Sequence, residues 1–332
     1  MARLRQQFKD ALSSIEPSDV DRSNAPEAHR LVREALMADD TLKGYGISPV
    51  LIGSYKRSVS IRRVKDVDVL VRLPDLPQDV TADKILDCVV NVLRAEFGTD
   101  SVKRQARSVK VAFPDYDLDV DAVPARPCFV GDGTWEIPVK NSEDEWIRTN
   151  PEKLTELSTE MNSEHAEFYV PTVKLLRQTR RTLLAKGARP SGFTIEAAAY
   201  EAFRSGVVGD DNATFYVSAL EGVSAILTNL AKYGIGIPDP TLSGATIQTN
   251  ATADELNTVS DRFAVAAVDA AAALTEDDLG KSALVFQKLF GVNGDGKTVF
   301  QTPDGFDEKG RAKAGTITSG AATVPAGTRT FG

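Results

Sequence analysis

The chain of 332 residues reads as an α+β protein, a mixed sheet flanked by helices and packed against a C-terminal helical domain. Three observations predict this. Short apolar runs with period-2 alternation fall between residues 49 and 123, with one helical stretch among them. A helical stretch precedes them, and from residue 151 to residue 290 the pattern is helical throughout. Strands grouped in one part of a chain and helices in another mark an α+β arrangement. The expected division is a core at 1–150 with N-terminal helices, a helical domain at 151–290 forming the other wall of a cleft, and a flexible tail at 291–332.

Taken in order, Gln6 to Leu42 reads as helical, with Phe8, Leu12 and Ile15 near helical spacing and Pro17-Ser18 as an interruption. Ser23-Asn24 is expected to cap a second helix, with Pro26 in its first turn and Gly44-Tyr45-Gly46 ending it. Pro49–Ile52 is a short strand that runs into a Gly53-Ser54 corner, followed by a helical turn or two over Ser54–Ile61. Lys65–Arg72 is an acidic strand, and Thr81–Phe97 is an amphipathic helix with Ile85, Leu86, Val89, Val90, Leu93 and Phe97 inward, Thr81 or Asp79 near its cap and Gly98 as its stop. Ser108–Phe113 and Tyr116–Val123 are further strands, and Pro124–Asn150, with Trp135 and Trp146, is irregular. Helices are then expected from Pro151, over Phe168–Ala185, Thr194–Phe203, Phe215–Lys232, Ala253–Leu274 and Leu279–Phe290. From Asn293 onward, Gly, Thr, Ala and Asp displace large apolar residues, which reads as a loose extension.

The chemistry is concentrated in the strands. Residues i and i+2 of a strand share a face, so Asp66 and Asp68 project together while Val67, Val69 and Val71 face a core. Paired carboxylates repel unless a cation neutralises them, and hard divalent ions with oxygen ligands fit best. The Gly53-Ser54 corner can offer backbone N–H groups and a hydroxyl to phosphates. A later strand, YDLDVDAV, sets Asp117, Asp119 and Asp121 on one face. A solvated DxD on an edge strand is the bland alternative, and a third acidic strand makes it the weaker one. On the helix Phe168–Ala185, Lys174, Arg177, Arg180 and Arg181 make one side basic, either a solvated face or the channel wall opposite the carboxylates.

Composition sets limits. Hydrophobic residues make up 42% of the chain, enough for a real core, and the formal net charge of −8 argues against a nucleic-acid coat. Only Cys88 and Cys128 and the histidines His29 and His165 are present, without zinc-ligand spacing. No apolar run suggests a membrane span, and a reducing cytoplasm is the expected setting.

A Gly-Ser corner, DxD on one strand and an acidic residue on a later strand resemble the DNA polymerase β-like nucleotidyltransferases. LDVDAVPA (Leu118–Ala125) resembles the third-carboxylate strand of the cGAS-like and oligoadenylate-synthase branch. The run from Trp135 through Trp146 to Pro151, then VKLLR (Val173–Arg177) and PSGFTIE (Pro190–Glu196), is similar to the bacterial cGAS/DncV-like group, the CD-NTases. The likeness spans about Phe8 to Phe290. It implies a metal-dependent enzyme that joins NTPs, ATP among them, into a cyclic di- or trinucleotide second messenger in anti-phage signalling (CBASS). Under it, Gly53 and Ser54 hold the donor triphosphate, and Asp66 and Asp68 bind two Mg²⁺ or Mn²⁺ ions. Asp121 completes the metal and catalytic set, with Asp119 exchanging for it on a register slip. Lys174 and Ser191 contact the triphosphate, although Gly192 places Ser191 one position further from Glu196 than the pattern expects. A C-terminal Gly332 matches relatives conjugated by an E1/E2-like enzyme, and without a Cys/His insert direct duplex-DNA sensing is not expected. The alternatives are a nucleotidyltransferase acting on a small molecule, protein or RNA end, and a catalytically silent nucleotide-binding protein working through its tail.

Overall fold

The computed structural model describes residues 4–139 and 146–314. Strands β1 (Ser48–Ile52), β2 (Asp66–Arg72), β3 (Val102–Arg104), β4 (Val109–Phe113) and β5 (Leu118–Pro127) form one sheet in the order β1-β2-β5-β4-β3. β2 and β5 are parallel, and their neighbours run antiparallel to them. Helices α2 (Asp19–Ala38) and α5 (Ala82–Phe97) cover one face, and Val67, Val69, Val71, Val120 and Ala122 are fully buried beneath them. That burial, at roughly 1.5–3 kcal/mol per large side chain, fixes which face carries the aspartates. The mixed sheet, the flanking helices and the helical C-terminal half agree with the fold class expected.

Several expectations give way. α2 begins at Asp19: Ser18 accepts from the Asp21 amide at 3.1 Å, and Asp21 accepts from the Ser18 amide at 2.8 Å. This reciprocal cap moves the start upstream, so Pro26 lies inside the helix, held there by buried Ala25, Ala28, Val32 and Leu36. Asp117 is not on the acidic strand. It ends a tight turn at φ +52°, pairs with Lys65, and β5 starts one residue later. The stretch with the two tryptophans is not irregular. β5 runs on to Pro127 and offers an edge to β6 (Trp135–Pro138), which pairs with β7 (Trp146–Thr149). The Arg126 guanidinium stacks 4.1 Å from the Trp146 ring.

The helical half comprises α6 (Pro151–Glu164), α7 (Tyr169–Leu183), α8 (Gly192–Ser205), α9 (Asn212–Tyr233), α10 (Ala253–Thr275) and α11 (Leu279–Phe290). Its core also takes in α1 (Arg5–Ile15), so the expected boundary at residue 150 assigns that helix to the wrong unit. Phe8 lies 4.9 Å from Phe286 and 5.2 Å from Phe300, ring centre to ring centre. Val299 and Phe300 are buried, so residues 291–314 are packed chain rather than loose tail. Gly332 lies outside the described residues.

The connector before β2 is fastened from both ends of the chain. The Arg62 amide donates to Ile15 O at 2.6 Å, and Arg181 donates to Arg62 O at 3.2 Å. Asp295 holds Arg62 at 3.0 Å and Arg63 at 2.7 Å, and Asn293 Nδ2 donates to Ser14 O at 2.8 Å. Asp21, at the start of α2, accepts from the Val64 amide at 3.1 Å. β2 therefore enters the sheet from a set position.

Candidate active site

In the parallel pair, Asp66 stands opposite Asp119 and Asp68 opposite Asp121, so these carboxylates share the sheet face away from α2 and α5. On the other side of β2, Ile52 stands opposite Asp68, and α4 (Gly53–Lys56) begins immediately after it. The register thus delivers the Gly-Ser corner to the acidic pair. Gly53 adopts φ +78°, and a Cβ there would lie 2.8 Å from Asp68 Cγ, so glycine is the residue this corner accepts.

Two of these carboxylates are pushed toward protonation. Burial, then the charges of Asp121 and Asp66, push the Asp68 carboxyl up to about 7, with Arg57 and Arg177 opposing. Burial also raises Asp121, against the pull of Lys110. Lys110 bonds Asp119 at 2.7 Å and stands 3.9 Å from Asp121, and Ser108 donates to Asp121 at 3.3 Å. The register therefore distinguishes Asp119 from Asp121: Asp121 is the one beside Asp68, and Asp119 is neutralised by Lys110. Among the described residues no group of three acidic, histidine or cysteine side chains stands ready to enclose an ion. The donor set still suits a hard cation, because all the ligands are carboxylate oxygens and the Asp68 charge is poorly compensated.

A cavity of about 410 Å³ opens in front of Asp66 and Asp68, between the sheet and the helical half. Gly53 and Ser54 line one wall, and Arg177, Ser191 and Glu196 line the other. Asp121 is not among its lining residues and sits one strand over, next to Asp68. Ser191 occupies the N-cap of α8 and its hydroxyl makes no capping bond, so the oxygen is free for a ligand. Ser54 Oγ is 3.0 Å from Ser60 Oγ. Lys174 does not line this cavity. It pairs with Glu16 at 2.6 Å and borders a neighbouring space with Ser60 and Tyr55. Of the basic side of α7, only Arg177 reaches the main cavity, while Arg180 donates to the carbonyls of Ala188 and Pro190.

One residue that the sequence motifs carried without a role is Glu196. It accepts from Arg57 at 2.5 Å and from Arg177 at 3.4 Å, and Arg57 and Glu196 are nearly solvent-free. Arg57 comes from the turn after α4 and Arg177 from α7, so this carboxylate ties the two halves together in the cavity wall. A lone acid within TIEAAAY, on an otherwise apolar helical stretch, was the available signal. Asn150, Tyr200 and Thr241 close the far end of the cavity, and nothing in their spacing announced them.

A helix-flanked mixed sheet with carboxylates on adjacent parallel strands, beside a Gly-Ser corner and facing a helical half, defines a nucleotidyltransferase of the polymerase β-like class. Comparison with known proteins narrows this. Residues 2–162 match the Second Messenger Oligonucleotide or Dinucleotide Synthetase domain. A cyclic AMP-AMP-AMP synthase from an Acinetobacter species is 30% identical over 301 residues, 86% of this chain and 84% of the relative. Among solved structures, Escherichia coli CdnC with ATP superposes with a TM-score of 0.66 at 20% identity, covering 90% of this chain and 98% of the other. Vibrio cholerae DncV in its apo form gives 0.70 at 12% identity, covering 90% and 97%. The chain belongs to the bacterial CD-NTases, nucleotidyltransferases that make cyclic oligonucleotide second messengers.

Proposed function

We propose that this enzyme joins ATP, alone or with another NTP, into a cyclic di- or trinucleotide within the cavity before Asp66 and Asp68, as part of anti-phage signalling in the cytoplasm. The observation that carries the site is the parallel register of Asp66–Asp119 and Asp68–Asp121 beside Gly53. The 30% identity to a cyclic AMP-AMP-AMP synthase supports adenine among the bases. Asp66, Asp68 and Asp121 are the residues to hold two Mg²⁺ or Mn²⁺ ions. Such ions, when bound, lower the pKa of an attacking ribose hydroxyl and neutralise a departing pyrophosphate.

The chain's own groups do the positioning. Gly53 and Ser54 offer an amide and a hydroxyl to the donor triphosphate, and Ser191 faces them from the helical wall. Lys174, once released from Glu16, adds a cation beside Ser60, which Ser54 already touches. Arg57 and Arg177, aligned by Glu196, supply fixed positive charge next to Asp68. Preorganised charge of this sort is commonly the largest contribution to such catalysis. A downstream effector of the product completes the reading.

The test is direct: incubate the protein with all four NTPs and Mg²⁺ or Mn²⁺, then identify products by mass. Cyclic products, pyrophosphate release and loss of both on chelation are expected, and also on Asp66→Ala, Asp68→Ala or Asp121→Ala. Linear or transferred nucleotides only, or full turnover without the three acids, would overturn the reading.

A further inference from the structure

Behind the Gly-Ser corner lies a second cavity of about 480 Å³, which shares no lining residue with the first. His29 and Arg33 of α2, Val50 and Leu51 of β1, Lys56 of α4 and Glu152 of α6 form its walls. Its polar groups are incomplete. Arg33 Nε and His29 Nδ1 are buried without a hydrogen-bond partner, an arrangement that is costly until a ligand or solvent group meets it. They are one helical turn apart and so face the same space. Arg30 shows the ordinary outcome on this helix, with its guanidinium spent on Glu27 and Glu34. Arg33 and Lys56 form no ion pair among the described residues, and the acid in the wall, Glu152, is engaged by Arg72 at 3.1 Å. Burial, then the charge of Arg33, lower the His29 pKa, and its Nδ1 faces this space as an N–H donor for an oxyanion.

We propose that this cleft between α2, β1 and α6 binds a small organic oxyanion. Its phosphate or carboxylate head lies on Arg33, His29 and Lys56, and its apolar body lies against Val50 and Leu51. Charge alone would call only for an inorganic ion. The cavity is far larger than one, within the ~300–1,000 Å³ typical of small-molecule sites. An oxyanion completes both orphaned nitrogens and offsets the unpaired cations at once. The site lies against the strand and helix that carry Gly53 and Ser54, and it is separate from the catalytic cavity.

Titration calorimetry of the full chain with phenyl phosphate, phthalate and inorganic phosphate tests this, the first two separating a phosphate from a carboxylate head. One of the two organic probes is expected to bind at one site, more tightly than inorganic phosphate. Arg33→Ala and His29→Ala each weaken it by about tenfold or more, the loss of one charge-assisted hydrogen bond. Arg33→Ala keeps its NTP turnover, which reports that it is folded. Lys56→Ala, on the opposite wall, weakens binding independently of α2. No binding of either organic probe at millimolar concentration overturns the proposal. So does equal affinity of wild type and variants, or loss confined to Arg177→Ala, which would place the probe in the catalytic cavity. Inorganic phosphate binding as tightly as the organic probes would remove the apolar half of the site.

Discussion

Gly53 and Asp68 are in contact: the glycine's left-handed backbone leaves just enough room for the carboxyl, and any Cβ would overlap it. Gly53→Ala is therefore expected to destabilise the fold by about 1–3 kcal/mol, from backbone strain and the displaced carboxylate. NTP turnover should fall further than stability explains, because the same displacement moves Asp68. Urea unfolding and product formation, compared at matched folded fraction, separate the two losses. An active, fully stable Gly53→Ala would refute the contact's importance.

Asp68 makes the metal-free protein pH-sensitive. Its pKa rises from the usual 3.8 to about 7 on folding, so between those values the folded chain holds a proton that the unfolded chain has released. The associated stability is fully present below about pH 4 and is lost as pH rises through 7, and the raised Asp121 acts in the same direction. Asp68→Asn should remove this dependence, making the variant more stable than wild type above pH 7 by about 2–4 kcal/mol. Mg²⁺ should raise the wild-type Tm more at pH 8 than at pH 5, and EDTA should reverse it. Parallel Tm profiles for wild type and Asp68→Asn across this range would count against the assignment.

Glu196 leaves two guanidinium groups behind when removed. Breaking a buried pair on one side costs about 3–5 kcal/mol, whereas an apolar replacement of both partners is often neutral. Glu196→Ala should unfold at markedly lower urea, and Arg57→Met combined with Glu196→Leu should recover much of the loss. The recovered double variant should still turn over slowly, since Arg57 no longer sits beside Asp68. Wild-type kinetics in it would reduce Glu196 to a packing role.

Lys174 and Glu16 offer a separable test of phosphate binding. Lys174→Ala is expected to raise the KM for NTP about tenfold, the value of one charge-assisted contact, with a smaller change in kcat. Glu16→Gln frees the lysine and should lower KM or leave it unchanged. If Lys174→Ala changes stability but not KM, the lysine serves only to hold the end of α1.

The parts legible from sequence were those set by local pattern. The acidic strand, the Gly-Ser corner and α5 with its Gly98 stop follow from period and capping, which need no partner to be read, although the structure was needed to choose Thr81 over Asp79 as the cap. What escaped depended on distant neighbours. Phe300 joins the aromatic cluster around Phe8 because α1 and α11 meet in space, and nothing near residue 300 says so. β6 and β7 form because β5 extends far enough to pair with β6, which in turn pairs with β7. In the site, Asp66, Asp68 and Gly53 came through strand alternation and turn chemistry. The pairing of Glu196 with Arg57, across 139 residues, required the two halves to be docked.

The fastening of Arg62 and Arg63 by Asp295 has a bearing on when the enzyme comes to life. A ribosome makes Asp66 and Asp68 long before it makes Asp295. A nascent chain therefore carries the acidic strand without the brace that fixes its entry, and without Phe300 to close the core around α1. If turnover depends on that strand's set position, as proposed, it is expected only once those residues have emerged, and half-made copies on polysomes are expected to release no signal.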